Sequence, residues 1–214
     1  MNNQTDPWEE LHKNYQNRDW IDKPSMFAET AVSYFPKNGK ILDLGAGQGQ
    51  DSRFFAEHGY EVTSTDVEDS ALKLSDSKLT EALRDKITLQ KIDLREALPF
   101  PDESFDVVYA HLSLHYFDTE TTIRLFGQIS RVLKQGGILA FFVNSTSDPE
   151  CGSGKMLEKD YFRVGAVGKR FFDVESAKQF AQDFRVQLLD NNGETYKDND
   201  MGVHNLIRFI GNKI

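Results

Sequence analysis

The chain contains a single cysteine, Cys151, in 214 residues. One thiol can neither close an internal disulfide nor build a cysteine-rich metal site, so nothing in the covalent chemistry demands an oxidising compartment. A cytoplasmic setting is the resulting expectation. Long apolar runs are also scarce: the longest, Gly136 to Val143, falls far short of the roughly 20 residues that cross a bilayer. The opening Met1 to Asp6 lacks the basic and apolar regions of a secretory signal. Positive charge is in deficit, with 25 Lys and Arg against 34 Asp and Glu and a formal net charge of -9. That balance opposes long-range attraction to nucleic acid or an anionic membrane, and the expected partner is a small or neutral molecule. Repeats and low-complexity tracts are absent as well. A monomer or homodimer with one core is the simplest arrangement for a chain of this length.

What is present is a regular alternation. Apolar runs at Lys40 to Leu44, Tyr60 to Thr65, Ile87 to Ile92, Phe105 to Ala110 and Gly137 to Val143 read as buried strands. Between them, Asp51 to His58, Asp69 to Leu79 and Thr119 to Leu133 carry helical spacing. Strands alternating with helices imply a parallel sheet covered on both faces. Beyond the fifth strand the pattern predicts a loop from Ser145 to Gly168, a helical piece near Asp173 to Asp183, and a terminal antiparallel pair at Arg185 to Asp190 and Asn205 to Ile210. Residues 1–36, rich in aromatics and with helical spacing at Phe27, Ala31 and Tyr34, read as an N-terminal cap or lid on a domain spanning 37–214.

The strongest local signal is Ile41-Leu42-Asp43-Leu44-Gly45-Ala46-Gly47-Gln48-Gly49-Gln50-Asp51, a strand running into a glycine-rich turn and then a helix. Glycines let the main chain take left-handed angles and approach a ligand, and the helix start offers unpaired N–H groups. A dinucleotide fingerprint has the spacing G-x-G-x-x-G, whereas this loop is G-x-G-x-G and carries a carboxylate, Asp43, two residues ahead. A pyrophosphate would be repelled by Asp43. An amino-acid ammonium would be attracted, and its carboxylate would use the backbone donors. Asp66, ending the second strand, is placed to accept ribose hydroxyls, and Asp93 with Leu94 after the third strand to meet an adenine edge. Each of these acids also has a plain reading as a turn or helix-cap residue.

Taken in order, these segments and the runs Leu98 to Ala110 and Val132 to Leu139 resemble the class I S-adenosylmethionine-dependent methyltransferases over about Gly39 to Val143. The Trp-rich beginning and Phe171-Phe172-Asp173 are weakly similar to the tellurite-resistance and thiol methyltransferase branch. The resemblance implies a Rossmann-like doubly wound α/β fold of seven strands in the order 3-2-1-4-5-7-6, mostly parallel with an antiparallel last strand. It implies S-adenosyl-L-methionine as the cofactor, held by Tyr15, Asp43, Gly45, Ala46, Gly47, Gly49, Asp51, Asp66, Val67, Asp93, Leu94, Ala110 and His111. The implied activity is methyl transfer to a small-molecule acceptor. Methyl transfer from a sulfonium is an in-line displacement that needs alignment and exclusion of water but no metal. His111 and His115 are candidate bases, set on one face if their segment is helical. Trp20, His115, Tyr116, Asn144, Tyr161 and Phe171 are candidate acceptor contacts. The alternatives are a non-catalytic S-adenosylmethionine-binding sensor or subunit and an NAD-dependent oxidoreductase, whose fingerprint is missing. A nucleic-acid methyltransferase would need a basic approach surface, and the amino-methylating kind an Asn or Asp-Pro-Pro-aromatic motif where this chain has Ala110-His111-Leu112-Ser113.

Overall fold

The computed structural model describes Arg18, residues 20–196 and residues 205–214. After the short helix α1 (Met26–Ala31) and a 3₁₀ turn (Val32–Tyr34) the chain alternates β1 (Lys40–Leu44), α2 (Gln50–Glu57), β2 (Glu61–Asp66), α3 (Asp69–Ser77), α4 (Glu81–Arg84), β3 (Ile87–Lys91), β4 (Phe105–His111), α5 (Thr119–Val132) and β5 (Leu133–Val143). Three short strands follow, β6 (Lys155–Glu158), β7 (Tyr161–Val164) and β8 (Val167–Arg170), then α6 (Val174–Phe180), β9 (Phe184–Gly193) and β10 (Leu206–Lys213).

The main sheet has seven strands in the order β3-β2-β1-β4-β5-β10-β9. The neighbours from β3 to β5 pair in parallel, and β10 runs antiparallel to both β5 and β9. This is the expected 3-2-1-4-5-7-6 order. Alternation along the strands makes two cores. Ile41, Val107, Tyr109, Ala140 and Phe142 face one side with Phe27, Ala28, Ala31 and Phe55, whereas Leu42, Leu44, Val108, Phe141 and Val143 face the other with Leu125, Phe126 and Ile129. The period of two in the strands and of 3.6 in α5 therefore places the same sequence pattern on both layers.

One segment departs from the expectation. Residues 145–168, read as a loop, contain β6 and β7 and enter β8, which form a separate three-stranded antiparallel sheet. These strands are four residues long and half exposed, so they lack the continuous apolar run that marks a buried strand. Arg170 fixes the small sheet to the domain. Its buried guanidinium donates to Glu158 at 2.8 Å, to Thr119 Oγ1 at 2.9 Å and to the Phe117 carbonyl at 3.1 Å, and its backbone N–H donates to the His115 carbonyl at 2.7 Å.

The segment carrying α1 is held by a buried carboxylate. Asp51, in the first turn of α2, accepts from the Ser25 backbone N–H at 2.6 Å, from Ser25 Oγ at 2.7 Å and from the Tyr109 hydroxyl at 2.7 Å. Ser25 in turn caps α1 by accepting from the Ala28 N–H at 3.0 Å. Three elements, α1, α2 and β4, thus meet at one carboxylate, and Phe27 stacks on Tyr109 and Phe142 beside it. Tyr109→Phe removes one hydrogen bond to a buried charged group, and we expect urea denaturation to show a loss of about 1.5–3 kcal/mol.

Candidate functional site

At the carboxyl end of the parallel strands, where the order reverses between β1 and β4, lies a cleft of about 530 Å³. Open α/β sheets place ligands at this crevice because neighbouring connections leave the sheet on opposite faces there. Its floor is the turn after β1. Gly45, Gly47 and Gly49 all have positive φ, 71°, 57° and 72°, a region that side chains with a Cβ avoid. A Cβ at Gly45 would also strike Ser113, whose hydroxyl donates to the Leu44 carbonyl at 2.5 Å. The loop is braced from β2: the Ala46 N–H donates to the Thr65 carbonyl at 2.7 Å and the Gly47 N–H to Asp66 Oδ2 at 2.8 Å.

Asp66 lines the cleft, and its other oxygen accepts from the Glu68 N–H at 2.9 Å. An ionised carboxylate has about four acceptor positions. Two are used here, which leaves capacity for two hydroxyl donors on the open side. Asp93 also lines the cleft but is engaged by Arg95, which donates its backbone N–H at 2.9 Å, its Nε to both oxygens and its Nη2 at 2.6 Å. This pairing holds the Asp93 carboxyl below the usual carboxylate range. Leu94 and Val67 complete that side.

Asp43 does not reach the cleft wall. It is buried beneath the loop, where Ser52 Oγ lies 2.6 Å from its Oδ2 and 2.8 Å from Ser64 Oγ. Burial pushes its carboxyl up to about 8; the Ser52 hydrogen bond opposes the shift, and the nearby carboxylates Asp51 and Asp66 add to it. Gly49, Asp51 and Ala110 likewise stand behind the lining, and Tyr15 lies outside the described residues.

On the far side of β1, His111 ends β4 and lines the cleft, its ring stacked on Phe142 at 5.1 Å between centroids and 6° between planes. Leu112 takes φ 55°, and residues 112–117 turn rather than form a helix, so the anticipated shared face of His111 and His115 does not exist. His115 points into the interior with 1% exposure. Trp20 and Tyr116 line the cleft; Asn144, Tyr161 and Phe171 are set back, with Phe171 packed against Phe162 and Tyr161 under the Arg170 guanidinium. Sequence reasoning missed Ile21, Phe117 and the stretch Ala166 to Gly168, which the small sheet brings to the mouth.

The turn that carries Trp20 is tied to the glycine loop through Asp22 and Arg53. Asp22 accepts from Lys78 at 2.7 Å and from Arg53 at 3.2 Å, while Arg53 donates to the Gln48 carbonyl at 2.8 Å, joining the turn before α1 to the glycine loop. No group of three or more His, Cys, Asp or Glu side chains suited to a metal occurs among the described residues, and no helix there is long and apolar enough to cross a membrane.

Residues 42–141, which hold the loop, Asp66, Asp93 and His111, match the family model described as a methyltransferase domain. Over those residues the chain is similar to the methyltransferases, and the relatives below support an S-adenosylmethionine-dependent one. It is 29% identical over 194 residues to 27-O-demethylrifamycin SV methyltransferase of Amycolatopsis mediterranei (strain S699), covering 85% of this chain and 67% of the relative. It is 34% identical over 149 residues to demethylmenaquinone methyltransferase of Listeria monocytogenes serotype 4a (strain HCC23), covering 68% and 60%. Other curated relatives are spanned over less than half their length, 44% of one and 38% of another. In fold, the chain superposes on a SAM-dependent methyltransferase from Methanosarcina mazei with TM-score 0.73 at 20% identity, covering 86% of this chain and 97% of that one. These matches do not single out the tellurite-resistance or thiol methyltransferase branch. The family implies S-adenosyl-L-methionine as cofactor, and the glycine cradle with the two open acceptor positions of Asp66 fits it.

The charge state of Asp43 gives a test. Its folded value lies above the ordinary carboxylate value of 3.8, so the folded state holds a proton that the unfolded state has lost between about pH 4 and 8. Stability from this group therefore falls as pH rises through that window. Asp43→Asn keeps an acceptor for Ser52 without the proton, and its stability relative to wild type is expected to rise from pH 5 to pH 8 in urea titrations. An unchanged difference across that range would show that Asp43 is ionised where it sits.

Proposed function

We propose that the protein transfers the methyl group of S-adenosylmethionine to a small-molecule acceptor bound over the end of β4. The observation that carries this reading is the cleft itself. It joins the glycine loop and Asp66 on one side to His111 and an aromatic rim on the other. In this reading the loop Gly45 to Gln48 holds the amino-acid end of the cofactor and Asp66 the ribose hydroxyls. Leu94 and Val67 flank the adenine. When bound, the cofactor supplies an activated methyl group on a sulfonium, which an acceptor takes by in-line displacement.

The protein's own part is to align, to shield and to move a proton. Trp20, Ile21 and Phe117 cover the reacting region with apolar surface and exclude water. His111, its ring held flat by Phe142, is placed to accept a proton from an acceptor hydroxyl or to orient it. His115, buried, has no part in this reading. The relatives named for rifamycin and menaquinone precursors support a small organic acceptor.

Calorimetry tests the cofactor half. S-adenosylmethionine or S-adenosylhomocysteine is expected to bind and NAD not to compete, and Asp66→Ala to weaken binding by about 1–3 kcal/mol through the lost hydrogen bonds. Tighter binding of NAD would sink the assignment. For the acceptor half, His111→Ala is expected to keep cofactor affinity and lower turnover by about 10²-fold. Turnover retained at every pH would remove His111 as the base and favour an acceptor that is already ionised.

A further inference from the structure

Resting on the methyltransferase reading, we infer that the acceptor is a neutral molecule with an apolar body, presenting its one reactive hydroxyl or amine to His111. The sheet order divides the cleft. Residues following β2 and β3 lie on one side of β1, and residues following β4 on the other. The first side holds the acids Asp66, Glu68 and Asp93 with Arg95. The second side is Leu112, Tyr116, Phe117 and Val167, a largely apolar and aromatic wall, with Trp20 and Ile21 also in the lining. Of its polar side chains, Ser113 is spent on the Leu44 carbonyl, His111 sits at the reacting end and Tyr116 carries an uncharged hydroxyl.

The cations nearest this half are paired with carboxylates, and Arg95 is the only Lys or Arg in the lining. Arg170 is paired with Glu158 at 2.8 Å, Lys169 with Glu150 at 2.5 Å, and Arg95, across the cleft, with Asp93 at 2.6 Å. An acceptor carrying a carboxylate, phosphate or sulfonate would lose its hydration against this wall and meet no Lys or Arg in the lining except Arg95, which Asp93 holds, and this is unfavourable. A formal charge of -9 opposes its approach as well. A cationic acceptor would meet the positive sulfonium at close range. A neutral apolar body gains burial without either penalty.

The wall is also built in place. Arg170 pins β8 to the turn after β4, and a Cβ at Gly168 would run into the Tyr161 side chain, so this stretch lies close against β7. Val167 and Ala166, on the edge of the small sheet, are therefore held at the cleft mouth, where a substitution changes the acceptor side and leaves the cofactor side alone.

The test uses the full chain saturated with S-adenosylhomocysteine and two probes that share one body, 2-naphthol and its 6-sulfonate. The neutral probe is expected to bind at least tenfold more tightly. Val167→Glu is expected to weaken it by tenfold or more with the S-adenosylhomocysteine affinity and the urea midpoint unchanged. Ala166→Glu, at the exposed turn, repeats the measurement should the first variant not fold. Val167→Lys is expected to narrow or reverse the preference. Equal binding of the two probes, preference of wild type for the sulfonate, or no binding of either to the saturated protein would overturn the inference while leaving the cofactor assignment standing. Failure of S-adenosylhomocysteine itself to bind would defeat the methyltransferase reading and this inference with it.

Discussion

Three glycines in left-handed conformation turn the chain between β1 and α2, and the surrounding structure is organised by that corner. Because Gly45 has no Cβ, Ser113 can close over the loop and bond the Leu44 carbonyl, which fixes where the chain leaves β4. Because Gly47 turns its N–H outward, Asp66 can brace the loop from β2. The loop's tight radius also starts α2 at once, which puts Asp51 deep enough to collect Ser25 and Tyr109. A side chain at Gly45 would have to displace Ser113 and its bond to the Leu44 carbonyl.

Two kinds of acid surround this corner, and they behave differently although they look alike in sequence. Asp66, itself buried, reaches the cleft lining and keeps unused acceptor capacity. Asp43 is sealed beneath the loop beside hydroxyls from α2 and β2, where a neutral carboxyl is favoured. An acid two residues before the glycines therefore contributes to the shape of the loop whatever it contributes to a ligand. The cleft combines a polar side, built from strand ends, with an apolar side built largely from segments outside the five parallel strands.

How much of this was legible in the sequence follows the range of the forces involved. The parallel strands and the glycine turn are set by local patterns, apolar runs and residues that tolerate positive φ, and these read directly, whereas the strand order came from the resemblance to the methyltransferases. The antiparallel pair at the end read as well, from the short stretches Arg185 to Asp190 and Asn205 to Ile210. The small sheet did not, because Lys155–Glu158, Tyr161–Val164 and Val167–Arg170 are short and half exposed. Its stability comes from Arg170 meeting Glu158 and Thr119, the latter 51 positions away, a pairing no local window contains. His115 was misplaced for a related reason. Spacing of four suggests a shared helical face, but the positive φ of Leu112 breaks the segment into turns and sends the second imidazole inward.

The two ways the rim is fastened differ in kind. The corner at Asp51 is dry, and hydrogen bonds of that sort are little affected by the ions around the molecule. The fastening at Asp22 is wet: its side chain is 68% exposed, and it holds the Trp20 turn through charges on Arg53 and Lys78. At physiological ionic strength the screening length is about 8 Å, and it shortens further as salt is added. The cleft therefore has a floor indifferent to salt and, at its edge, a fastening at Asp22 that added salt weakens.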